Sequence, residues 1–187
     1  MKRRTCVILT LLVSCAAYAK LTHTDIEVVG NAYRYQFEAD IAAPFDDTHA
    51  VVTDYNHLKR INDGVIESRI VKTYGKHKLK RELLMEQCVL VFCFDLRFTE
   101  QVEEHGRNKI VARIIPEESN FRRGIATWQF EAIDPANTRL RVNAEQEPDF
   151  WIPPVIGPAM IKHVFRKEIE ETTQKIELAA INRTRRR

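Results

Sequence analysis

Several things are scarce in this chain of 187 residues: four cysteines, six glycines and two tryptophans. With so little glycine there is no phosphate-cradling loop, and neither a P-loop nor a dinucleotide-binding fingerprint can be found. No nucleophile elbow or zinc helix motif is present, and the six histidines (His23, His49, His57, His77, His105, His163) are scattered, with no pair at zinc-ligand spacing. Internal repeats, Gly/Ser linkers and low-complexity blocks are also absent, which argues for one domain. An excess of one charge is lacking too once the N-terminus is considered.

Met1-Lys2-Arg3-Arg4 reads as a basic n-region, Cys6 to Ala17 as a short apolar run, and Ala17-Tyr18-Ala19 as a small-x-small cleavage site. This is the pattern of a secretory leader over residues 1–19, too short to span a bilayer, and no second run of spanning length follows. Leu12-Val13-Ser14-Cys15 also reads as a lipobox, with Cys15 as an acylated N-terminus; the short run before Cys15 favours cleavage after Ala19. A periplasmic, exported protein is expected. Taking Lys2, Arg3 and Arg4 from the 29 bases leaves 26, equal to the acids, and Arg183-Thr184-Arg185-Arg186-Arg187 forms a basic end expected to be disordered. The body of the domain is then mildly acidic, and a nucleic-acid partner loses its main support.

Strand alternation is clear. Tyr33, Tyr35, Phe37, Ala39 and Ile41 share one face, with Arg34, Gln36, Glu38 and Asp40 on the other. Pro44 can open a helix, with Asp46-Asp47 in its first turn. A second short helix or turn is expected from Tyr55 to Ile61. Six more strands are expected near 65–73, 77–87, 93–103, 108–116, 121–133 and 138–147, joined by short turn-rich connections that imply antiparallel neighbours. A final helix is expected from Pro154 to Ile181. Its first half, Val155 to Phe165, is apolar almost all round and should be covered on more than one side.

Removing the leader leaves Cys88 and Cys93. On one continuous strand they would point apart, whereas a turn at Val89-Leu90-Val91-Phe92 sets them opposite each other; ordinary strand lengths favour the turn and a disulfide. The apolar tip thus created either tucks against the domain, the favoured reading, or contacts a membrane or envelope partner.

Taken in order, Ile41-Ala42-Ala43-Pro44-Phe45, the stretch Val52 to Val71 with Asn62-Asp63-Gly64, and Pro148 to Pro154 before the last helix resemble the START-like (SRPBCC, polyketide cyclase-like) superfamily, and within it the coenzyme Q-binding group. The resemblance covers roughly residues 24–182. It implies an α+β helix-grip fold over residues 20–182, a curved seven-stranded antiparallel sheet around a long C-terminal helix in the order β-α-α-β6-α. It also implies an internal cavity for a lipid, quinone or polyketide-like molecule, with no cofactor, and a monomer is expected. Combining the inward strand faces with the helix stripe gives a candidate binding set. It comprises Tyr55, Leu58, Ile61, Arg81, Phe94, Leu96, Phe98, Glu100, Ala112, Ile114, Ala126, Trp128, Phe130, Val142, Ala144, Trp151, Met160, Ile161, Val164 and Phe165. Ser68 and Gln146 are further polar residues on inward faces, and Arg81 is expected to pair with Glu100. The leading expectation is a non-catalytic carrier or sensor. A cyclase/aromatase-type enzyme and an envelope interaction module are the alternatives.

Overall fold

Period-two alternation needs a sheet with one dry face, and the computed structural model, which describes residues 19–89, 91–152 and 156–186, contains one. Its strands are β1 (Lys20–Val29), β2 (Ala32–Ile41), β3 (Val65–Gly75), β4 (Lys78–Val89), β5 (Phe92–His105), β6 (Lys109–Ile114), β7 (Phe121–Asp134) and β8 (Asn137–Pro148). Helix α1 (Phe45–Val52) follows β2, and helix α2 (Pro158–Thr184) ends the fold. All neighbours are antiparallel, in the order β1-β2-β8-β7-β6-β5-β4-β3. This is the helix-grip arrangement, with eight strands rather than seven.

The additional strand is β1, absent from the sequence-based expectation. Only Ile26 in it is buried, and the register slips between Leu21 and His23, so its pattern never alternates cleanly. It joins β2 through Gly30, whose φ of 61° suits the tight hairpin turn. The short helix or turn expected over Tyr55–Ile61 is a single 3-10 turn, Leu58–Arg60. Asp54 anchors it, bonding His57 at 2.7 Å and Arg60 at 3.2 Å.

Helix α2 starts at Pro158, four residues later than expected, because proline fits the first helical position while Gly157 remains extended. The expected beginning at Pro154 and Val155 lies outside the described residues, as does the leader through Tyr18. At its other end α2 runs past the expected helix end at Ile181, to Thr184. Arg183 lies 3.3 Å from the buried Asp47, and Thr184 donates to the same carboxylate at 2.8 Å, so the start of the basic end is docked.

The core lies around the second half of α2. Ile169, Ile176 and Ala180 pack within one cluster that includes Ala39, Ile41, Val52, Leu140 and Val142, all buried. Glu177 enters this region too, and accepts from the Ala42 backbone N–H at 2.7 Å. The first half of α2 differs: none of its side chains between Pro158 and Glu168 is fully buried, and Ile161, Val164 and Phe165 are half-buried over the other end of the sheet. Among the described residues, Ile156 of the expected stretch is buried while the helical part is covered incompletely. What faces it is a cavity.

Candidate functional site

The cavity has a volume of about 260 Å³. Its walls come from alternation on the strands β2 to β8, most of all on β4 and β5. On β4, every second residue from Arg81 to Val89 points inward; their register partners on β5 include Glu100, Phe98, Leu96 and Phe94. Tyr33, Tyr35 and Phe37 close it from β2, Ala126 and Trp128 from β7, and Ile161, Val164 and Phe165 from α2. An engineered apolar cavity of about 150 Å³ stays dry and takes up benzene, so a space of this size and lining suits an apolar guest.

Polar groups interrupt the wall in a short belt. Arg81 Nε donates to Glu100 Oε2 at 2.8 Å, and both side chains are nearly buried. The guanidinium carbon lies 5.1 Å from the Tyr55 ring centre, and the Tyr55 hydroxyl donates to Glu104 at 2.9 Å. Burial pushes the Tyr55 hydroxyl pKa well up, against the nearby positive charge of Arg81. Across the cavity, Asn62 Nδ2 donates to Glu168 Oε1 at 2.9 Å, while Asn62 Oδ1 accepts from the Gly64 N–H at 2.9 Å. One residue of the Asn62-Asp63-Gly64 turn thus shapes the chain locally and grips α2, and Asp63 adds an ion pair to Lys175. Burial raises the Glu168 carboxyl pKa, although the Asn62 bond opposes this. Tyr33 and Tyr35 are raised by burial first and by neighbouring charge second, including Glu168 for both and Glu100 for Tyr35.

Of the residues expected from sequence, Tyr55, Leu58, Ile61, Arg81, Phe94, Leu96, Phe98, Glu100, Ala126, Trp128, Ile161, Val164 and Phe165 line this cavity, as does Gln146. Seven others do not. Phe130 is covered by α1, with ring centres 6.3 Å from Phe45 and 5.3 Å from His49. Val142 is fully buried in the solid core. Ala112 and Ala144, register neighbours of Ala126, are buried alanines too short to reach the space. Ile114 lies across Gly124 instead, so close that a Cβ there would stand 2.3 Å from its Cδ1. Met160 is half-buried away from the cavity, and Trp151 is 72% exposed. Its neighbour Phe150 takes the inward place, 5.5 Å from Phe94. Ser68 is also outside, its hydroxyl accepting from the Leu58 N–H at 3.1 Å.

Sequence reasoning did not assign Tyr33, Tyr35, Asn62, Glu168 and Thr172 to the site. The two tyrosines were legible as inward-facing, and Glu168 sits one helical turn from both Val164 and Thr172 on the same side of α2. A glutamate there reads as a solvated face until the cavity is seen.

Beside the cavity-lining Gln87, Val89 and Phe94, Cys88 and Cys93 form a disulfide between paired positions on β4 and β5. The apolar tip beyond them divides: Val89 is buried and lines the cavity, Phe92 is half-buried and Val91 is 87% exposed. Leu90 lies outside the described residues.

The profile of a protein family described as polyketide cyclase/dehydrase and lipid transport matches residues 33–180. No curated protein matches the sequence. Among solved structures, a Thermus thermophilus protein superposes with a TM-score of 0.64 at 18% identity, covering 80% of this chain and 97% of that one. A START superfamily protein from Mycobacterium smegmatis gives 0.64 at 17% identity, with 80% and 97% covered. The Zhui aromatase/cyclase from a Streptomyces species gives 0.59 at 15% identity, with 83% and 95% covered. At these identities the likeness is one of fold.

Proposed function

Because the chain belongs to the polyketide cyclase/dehydrase and lipid transport family, we propose that it holds a hydrophobic small molecule in this cavity as a non-catalytic carrier or sensor in the cell envelope. The observation that carries the reading is the first half of α2. Its apolar side chains Ile161, Val164 and Phe165 are left half-buried over a cavity walled by Leu96, Phe98 and Trp128. A guest would complete their burial, at roughly 25 cal/mol per Å² of apolar surface removed from water. Carriage rather than chemistry is supported by the pairing of the cavity's polar groups: Arg81 with Glu100, Tyr55 with Glu104, and Asn62 with Glu168. Groups spent on one another are poorly placed to shuttle protons to a guest. The envelope setting draws support from the leader pattern and from the Cys88–Cys93 disulfide, which suits an oxidising compartment.

The test is mass spectrometry of an organic extract from protein purified without detergent from its native envelope. A stoichiometric lipid, quinone or polyketide-like compound is expected. An extract without such a compound, from protein that also takes up no apolar dye, would overturn the container reading.

A cyclase/aromatase-type enzyme is the second reading, favoured by the position of Tyr35 within the electrostatic reach of Glu168, Glu100 and Arg81. It requires turnover by purified protein that single substitutions of Arg81 or Glu100 abolish without unfolding.

A further inference from the structure

Two tyrosine hydroxyls belong to the cavity wall. Tyr33, 8% exposed, and Tyr35 stand two residues apart on β2, so both rings face inward, with centres 4.7 and 5.4 Å from the Phe165 ring. No hydrogen bond reaches either hydroxyl among the described residues. A phenol O–H facing an apolar wall has little there to donate to, and an oxygen acceptor in the cavity would supply the missing partner. Both phenols are held protonated by burial, so each is available as a donor.

Charge around them restricts which acceptor can enter. Two carboxylates, Glu100 and Glu168, line the same cavity against one cation, Arg81. Arg81 gives its Nε to Glu100 at 2.8 Å, so the one cation lining the cavity is already charge-paired before any guest enters. An anionic headgroup would lose its hydration beside two carboxyl groups and a cation already paired, while a neutral oxygen adds no charge and can accept from the two phenols.

We propose that the cavity selects an uncharged apolar molecule bearing a carbonyl-type oxygen, held by the Tyr33 and Tyr35 hydroxyls, and rejects acyl chains that end in a carboxylate or phosphate. This rests on the container reading above and specifies its guest.

The test loads the full chain with the uncharged, oxygen-free dye diphenylhexatriene and displaces it, at neutral pH, with a methyl ketone, the alkane and the fatty acid of equal chain length. The ketone is expected to act at a concentration about tenfold below either of the others. In a Tyr33→Phe/Tyr35→Phe double variant, with its dye affinity measured first, ketone and alkane should displace the dye at the same concentration. A fatty acid as potent as the ketone overturns the proposal while the container reading stands. So does a ketone preference that survives in the double variant, or dye that none of the three displaces. Protein that takes up no dye brings down the container reading itself, and this inference with it.

Discussion

Arg81 and Glu100 meet across β4 and β5 at 2.8 Å, with Glu100 only 5% exposed. Replacing Arg81 by methionine keeps most of the apolar stem but strands that carboxylate. A loss of about 3–5 kcal/mol is expected in urea unfolding, because an uncompensated buried charge costs more than the pair contributes. Adding Glu100→Gln should restore much of it; if the double variant is no better than the single, lost packing and not stranded charge is the cause. Ala126 tests volume instead. It stands between Ala112 and Ala144 in a row across β6, β7 and β8, and it alone of the three lines the cavity. Ala126→Trp sends an indole into the space, so dye uptake should be lost with the far-ultraviolet circular dichroism preserved, at a stability cost of about 1–3 kcal/mol. Undiminished uptake would show that dye binds elsewhere.

Between residue and fold, the β4–β5 hairpin is the element whose stability is most local. Cys88 and Cys93 face outward and exposed, while Gln87, Val89 and Phe94 face the cavity, so the disulfide braces the rim from its wet side. The loop it closes is short, and replacing both cysteines by serine should lower stability by about 2 kcal/mol. Hydrogen exchange should speed up first in the amides near Met85 to Leu96; an increase spread evenly over the sheet would contradict a local brace. This hairpin was legible in the sequence because two alternating runs met at an apolar turn too long for one strand. Strand β1 was not, since an edge strand with one buried residue carries almost no alternation. The site divides in the same way. Strand faces identified Phe94, Leu96, Phe98 and Trp128, but a curved sheet presents one inward face to both a packed core and a cavity. The pattern at Val142 and Phe130 is therefore the same as at Phe98, and only the placement of α1 and of the second half of α2 separates them. Glu168 was hidden for the opposite reason, because a carboxylate on a helix is nearly always in water.

At the scale of the whole molecule, the protein is divided into a packed end and a hollow end, and its carboxylates divide accordingly. On the outer face, the hydrogen bond from Arg141 lowers the Glu38 pKa and that from Arg139 lowers Asp40; bonding to Arg34 does the same for Glu145. Such groups contribute stability above their unfolded values, and it is lost as the pH falls through their depressed folded values. Glu168 at the hollow end and Glu177 at the packed end are raised above the ordinary 4.5 of a glutamate, in both cases mainly by burial. Their sign is opposite. Between the unfolded and folded values the native state binds more protons, so stability falls as the pH rises through that window, and the full cost is present above it. Glu168→Gln retains an oxygen acceptor for Asn62 and removes the ionisation. The variant should match the wild type below about pH 4.5 and gain on it progressively as the pH rises through the folded value of Glu168, to a plateau. Urea unfolding at a series of pH values reads this directly. A difference that stays constant with pH would assign the effect to packing, and a variant less stable at neutral pH than at acid pH, relative to wild type, would mean that Glu168 is stabilised as an anion by its surroundings.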